Sequence, residues 1–139
     1  MKFFAPGIPE ERITSPIPTT NNNLWSYSIQ EHVADRAGKH YDFRLGDEKA
    51  GVAYSWAIRH WPEIGEKRLA VRQPDHTLKY MNWSGNIQEG YGRGNVKLKE
   101  AGEAEIREAS KNKINFILND NKYSLIKTKN DKWLILNRK

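Results

Sequence analysis

The sequence predicts a mainly β protein: a compact antiparallel β-barrel with little helix. Three observations predict it. Apolar and polar residues alternate with a period of two in segment after segment. Polar turn sequences such as Asn119-Asp120-Asn121 and Lys129-Asn130-Asp131 separate those segments. The length of 139 residues, with 37% hydrophobic content, fits one domain with its own core.

Met1 to Asn23 holds Pro6, Pro9, Pro16, Pro18 and the polar run Thr19 to Asn23. It is expected as an extended arm (1–23) ahead of the domain (24–139), ordered only where it docks. Trp25, Tyr27 and Ile29 then alternate with Ser26, Ser28 and Gln30, a half-buried strand. His40 to Leu45 and Val52 to Ile58 alternate again, and Arg68 to Arg72 is a short further case. Val96 to Lys99 follows a glycine-rich turn; Ile114 to Leu118, Tyr123 to Lys127 and Trp133 to Leu136 complete the set. Ala101 to Lys111 is the one stretch with helical character, weakened by Gly102.

Composition narrows the function. The absence of cysteine excludes disulfides, thiolate zinc sites and thiol nucleophiles, and it suits a reducing cytoplasm. No apolar run reaches membrane-spanning length, so no membrane partner is expected. The net charge of +6 is concentrated: Lys111 to Lys139 carries eight basic and two acidic residues, and the remainder carries fifteen of each sign. A basic segment of this kind attracts nucleic-acid phosphates, or it is simply a solvated surface.

The most informative stretch is His40-Tyr41-Asp42-Phe43-Arg44-Leu45. In a strand, His40, Asp42 and Arg44 share one face, and Tyr41, Phe43 and Leu45 face the core. Three ionisable groups on one face can line a site where imidazole and carboxylate hold a metal and guanidinium binds an oxyanion. The alternative is a solvated face with an Asp–Arg pair. His32, reached through a connection containing Gly38, completes a two-histidine, one-aspartate set if the chain folds back. A second cluster is Arg68, His76 and Tyr80, all able to donate to a phosphoryl oxygen, with a turn contact and a packed tyrosine as the alternative. Gly90-Tyr91-Gly92-Arg93-Gly94 lacks the Lys-Ser/Thr ending of a phosphate loop and reads as a tight turn.

These blocks together resemble one family. Gln30-Glu31-His32, His40 to Leu45, Ser55-Trp56-Ala57-Ile58, Lys67 to Val71, Asp75-His76, Tyr80, the Gly85 to Gly94 stretch and Trp133 to Leu136 resemble the 3′-phosphoesterase domain of bacterial DNA ligase D and its stand-alone relatives. The resemblance implies a β-barrel enzyme that uses manganese to remove a 3′-terminal ribonucleoside and then the 3′-phosphate from DNA or DNA/RNA primer ends. The product is a 3′-hydroxyl for repair by a ligase or polymerase acting in trans. It implies His32, His40 and Asp42 as metal ligands, with Arg44, Arg68, His76 and Tyr80 on the scissile phosphate. The sequence departs from the family in its longer His32–His40 connection, in a shortened glycine-rich turn, and after Ser55-Trp56-Ala57-Ile58. There the family carries Pro-Lys, and here Arg59 and His60 stand. Charge favours Arg59 as the replacement, but by position His60 replaces the lysine, and His60 is the expected phosphate contact. Two other readings remain: a noncatalytic nucleic-acid-binding barrel using the basic segment with Trp83 and Trp133, and a metal-dependent hydrolase of a small phosphate ester.

Overall fold

The computed structural model describes residues 13–139 except Glu89 and Tyr91, so Pro6, Pro9 and the first part of the expected arm lie outside the described residues, as does Tyr91 of the glycine-rich run. The described chain runs through β1 (Thr20–Ala34), β2 (Gly38–Asp47), β3 (Val52–Ile58), β4 (Lys67–His76), a 3-10 helix (Leu78–Asn82), β5 (Gly85–Ile87), β6 (Gly94–Ser110), β7 (Lys113–Leu118), β8 (Asn121–Lys129) and β9 (Lys132–Asn137). All pairings are antiparallel, in the order β1-β2-β3-β4-β9-β8-β7-β6. A β1–β6 ladder from Thr20–Ala109 to Ala34–Gly94 closes the ring into a barrel of eight strands. Short β5 adds to the free edge of β6 at Gly94 to Val96.

The alternation read from the sequence is the alternation that fills the barrel. Trp25, Tyr27, Phe43, Leu45, Tyr54, Trp56, Ile58, Phe116, Leu125, Trp133 and Ile135 point inward and are buried together. Phe43 stacks on Phe116, and Trp56 meets Trp133 edge-on. The β7–β8 hairpin turns at Asn119 and Asp120, both at positive φ, as a two-residue turn matched to strand twist requires.

Two expectations need correction. Ala101 to Lys111 is not a helix: Ala101 to Ser110 belong to β6, which pairs with β1 on one edge and β7 on the other. The barrel would have an open seam without it. A bulge between Ile106 and Glu108 places inward residues Ile106 and Ala109 three apart, a spacing that mimics a helical face. The arm also ends earlier than expected, because β1 starts at Thr20.

Described residues ahead of β1 (13–19) dock on the barrel. Ile17 is buried in the core. The Ser15 hydroxyl and amide both donate to the Asp75 carboxylate, the amide at 3.1 Å. Arg72 lies within the barrel over the rings of Tyr54 and Trp56, pairs with Asp75 at 3.2 Å and donates to the Ser15 carbonyl at 2.8 Å. Burial lowers the Arg72 guanidinium, and Asp75 opposes that shift. At the other end, a cavity of about 670 Å³ opens beside Trp61, Tyr123 and Asn119. Its β1 wall is Ile29, whose side chain faces the opposite way from Gln30 and His32.

Truncating one partner of the Arg72–Asp75 pair leaves a buried charge without compensation. Asp75→Ala should therefore cost roughly 3–5 kcal/mol of stability by urea unfolding. A loss below about 1 kcal/mol would show that neither the pair nor the docked Ser15 segment holds the barrel closed.

Candidate metal and phosphate site

The site lies on the outer face of the barrel wall. β1 aligns His32 with His40 and Ser28 with Arg44, and β2 aligns Asp42 with Ala57 and Arg44 with Ser55. Paired residues in a ladder project to the same face, so His32, His40, Asp42, Arg44 and Ser55 emerge together, opposite the core side chains. The 3-10 helix Leu78–Asn82, capped by the Thr77 hydroxyl, folds over this face. It packs there because β2 offers a glycine: a Cβ at Gly46 would lie 2.6 Å from the Met81 sulfur.

Asp42 is the centre. Its carboxylate meets His32 Nδ1 at 3.3 Å, His40 Nε2 at 3.2 Å and Arg44 Nη2 at 3.7 Å. Burial would raise its pKa, but hydrogen bonds from His32 and His40 and the Arg44 charge hold the carboxyl far below its usual range. Burial lowers the His32 imidazole, and hydrogen bonding and charge from Asp42 more than reverse it, giving a net rise. The two imidazole rings stand 4.8 Å apart. One donor atom from each of His32, His40 and Asp42 lies within 4.8 Å of the others. His32 Nε2 donates to the Gly92 carbonyl at 2.7 Å, which turns Nδ1 toward Asp42; a metal held by Nδ1 would take the place of a proton there. The glycine-rich turn thus orients a histidine.

Arg44 is 2% exposed. Its Nε donates to Gln30 Oε1 and its Nη1 to Ser55 Oγ, each at 2.7 Å. Gln30, also buried, ties the cover down by donating to the carbonyls of Tyr80 and Trp83, both at 3.0 Å. The Arg44 guanidinium lies 5.0 Å from the Tyr80 ring centroid. Burial raises the Tyr80 phenol to about 12, so it keeps its proton and remains a donor. The His76 ring lies tilted against that of Tyr80, 5.2 Å between centroids. Its Nδ1 donates to the Pro74 carbonyl at 2.9 Å, and the Ser55 hydroxyl lies 3.3 Å away. Burial, with the nearby Arg44 charge, pushes His76 down to about 3, so it is neutral.

The fold therefore gathers His32, His40, Asp42, Arg44, His76 and Tyr80. Arg68 is not among them. It is bonded to Glu66 at 3.0 Å and shares the inward parity of Ala70 and Arg72. Along β4 it is five residues from Gln73, the partner of Ser55, or about 16 Å at ~3.3 Å per residue. His60 is also outside: it is exposed beyond the end of β3, beside Glu66. Arg59, by contrast, continues the outward parity of Ser55 and Ala57, and its Nη2 donates to the Ala37 carbonyl at 2.9 Å, in the turn between the two histidines. Gln30 and Ser55 were missed in the sequence; their signal was outward parity beside Arg44. The basic segment is elsewhere. β8, with Lys127 and Lys129, stands four strands from β2 in a ring of eight, on the far side of the barrel.

Among the described residues no helix is long and apolar enough to cross a membrane. The family model for the DNA ligase D 3′-phosphoesterase domain matches residues 30–128. The chain is 36% identical over 142 residues to the multifunctional non-homologous end joining protein LigD of Mycolicibacterium smegmatis, covering 89% of this chain and 18% of that protein. It is 35% identical over 133 residues to the LigD of Mycobacterium bovis, covering 86% and 17%. To the LigD of Pseudomonas aeruginosa it is 43% identical over 79 residues, covering 55% and 9%. The chain spans less than a fifth of the length of these relatives. On these matches, and on a site that unites the family's blocks on one barrel face, the chain belongs to the DNA ligase D 3′-phosphoesterase domain family.

Proposed function

We propose that this chain is a manganese-dependent phosphoesterase that heals DNA 3′ ends, removing a 3′-terminal ribonucleoside and a 3′-phosphate to leave a 3′-hydroxyl. The observation that carries this reading is the convergence of two imidazoles and a carboxylate beside a buried arginine, a neutral histidine and a protonated tyrosine. Family membership supports the reaction class, and the relatives' names, which refer to non-homologous end joining, support DNA ends as the place of action.

The donor set fits a divalent transition metal. His32 Nδ1, His40 Nε2 and the Asp42 carboxylate would hold it. Bound there, the ion supplies Lewis acidity at a phosphoryl oxygen. The protein's own groups do the rest. Arg44, fixed by Gln30 and Ser55, faces the phosphoryl group with a charge that needs no reorganisation as negative charge develops. Tyr80 donates its hydroxyl proton to a phosphoryl oxygen. His76 offers Nε2, because Pro74 occupies Nδ1. Protonating His76 at pH 7 against a pKa of about 3 would cost roughly 5 kcal/mol. That favours an acceptor role: Nε2 takes a hydrogen bond from the attacking water or from a protonated phosphoryl oxygen. In each hydrolysis a water oxygen bonds to phosphorus. In the first the bond from phosphorus to the ribonucleoside 5′ oxygen breaks and leaves a 3′-phosphate; in the second the bond to the 3′ oxygen breaks. In both the attacking water's proton balances the one the leaving oxygen takes up.

A duplex primer ending in a 3′-phosphate or a 3′-monoribonucleotide, incubated with manganese and resolved on a sequencing gel, tests the reading. Conversion to a 3′-hydroxyl is expected; an unchanged primer would contradict it. His32→Ala, His40→Ala and Asp42→Ala should each abolish conversion and manganese binding while circular dichroism stays that of a folded barrel. His76→Ala should lower turnover about a hundredfold or more, whereas Arg68→Ala should stay close to wild type. Equal losses in the two would return Arg68 to the site.

The His76 shift also sets a pH dependence. Its folded pKa lies below the unfolded value of about 6.5, so the unfolded chain binds the extra proton between those values. His76 therefore contributes nothing adverse above pH 6.5, and stability falls as pH drops from 6.5 toward 3. In histidine NMR of the metal-free protein its resonances should hold steady down to about pH 4. A midpoint near 6.5 would show an imidazole open to water.

A further inference from the structure

Three described arginines outside the buried cluster, Arg36, Arg59 and Arg93, converge on one turn beside the site. Asp35 to Ala37 joins β1 to β2, between His32 and His40. Arg59 reaches that turn from the end of β3, its Nη2 on the Ala37 carbonyl at 2.9 Å. Arg93 reaches it from the glycine-rich turn: its Nε meets the Asp35 carboxylate at 2.6 Å, and its carbonyl accepts from the Asp35 amide at 2.8 Å. Arg36 is exposed within the turn. Arg93 is 61% exposed, and the preceding carbonyl, that of Gly92, holds His32. Three arginines with one described carboxylate among them therefore rim the histidine end of the site. His40, at 15% exposure the most open of the three proposed metal ligands, lies at that same end.

This rim has no work to do on the scissile phosphate, which Arg44, His76 and Tyr80 would hold deep in the wall. Guanidinium groups outside a buried phosphate site, facing solvent and forked for two oxygens, suit phosphates that do not react. A small phosphate ester has none to offer. We propose that Arg36, Arg59 and Arg93 grip the backbone phosphates adjoining the reacting 3′ end, so that the substrate is a polynucleotide strand crossing the β1–β2 turn. The proposal rests on the phosphoesterase reading for the position of the reacting end. It also gives Arg59 a role that the residues after Ser55-Trp56-Ala57-Ile58 left open, and it removes the β8–β9 lysines from the interface.

The test measures binding without turnover. A labelled duplex primer with a 3′-phosphate is titrated by fluorescence anisotropy in EDTA over a series of potassium chloride concentrations. Each phosphate contact contributes about 0.9 to the slope of log affinity against log salt. The triple variant Arg36→Ala/Arg59→Ala/Arg93→Ala should lose roughly 2 to 3 from that slope, and Arg59→Ala alone about 1. Lys127→Ala/Lys129→Ala/Lys132→Ala should keep the wild-type slope. An unchanged slope in both arginine variants overturns the proposal, as does a loss confined to the lysine variant, which would put the strand across the far side. Wild-type protein that binds with the expected slopes but leaves the 3′-phosphate intact in manganese would defeat the phosphoesterase reading and spare the rim.

Discussion

A carboxylate on the wrong side of a hydrophobic strand governs this structure. Asp42 precedes Phe43, whose packing in the core fixes the strand's register, so the pleat sends it outward. There it is covered rather than solvated, and an ionised carboxylate removed from water is costly unless charge and hydrogen bonds surround it. Each neighbouring feature answers that requirement. β1 brings His32, β2 itself brings His40 and Arg44, and Arg44 in turn needs Gln30 and Ser55. Gln30 then anchors the 3-10 helix that supplies Tyr80 and covers the face. A set of groups satisfied only by one another is also one that a cation and a phosphate can enter, because it already pairs donors with charge.

Placing the site on the outer wall separates stability from chemistry. The interior is filled by aromatic and branched side chains and closed at one end by the Arg72–Asp75 pair with the docked Ser15 and Ile17. The chemical groups occupy the alternate positions of the same strands. Substitutions at the outward positions therefore act on the site with little effect on the core. The cavity at the open barrel mouth lies on the inward side of β1 and has no part in the metal cluster.

Most of the fold was legible because a period of two needs only the sequence, and the polar parity of His40, Asp42 and Arg44 was visible in one hexapeptide. What was misread has a physical source in each case. β6 looked helical because alanine and glutamate favour helices and its bulge spaces Ile106 and Ala109 like a helical face. Arg68 matched a family block, but its strand presents it on the core parity and far along β4. His60 kept positional agreement while Arg59 kept the outward parity, and parity decided which one lies at the site's edge. The excess charge of the last residues could be counted, but which side of a closed ring β8 occupies depends on pairings that no local pattern encodes.

The most direct test of the account is to locate a manganese ion by anomalous diffraction from manganese-soaked crystals of this protein. The account predicts one strong peak on the outer wall, bonded to His32 Nδ1, His40 Nε2 and the Asp42 carboxylate, with His32 Nε2 still on the Gly92 carbonyl. A peak bonded through His32 Nε2, a peak elsewhere on the barrel, or none at saturating manganese would contradict it.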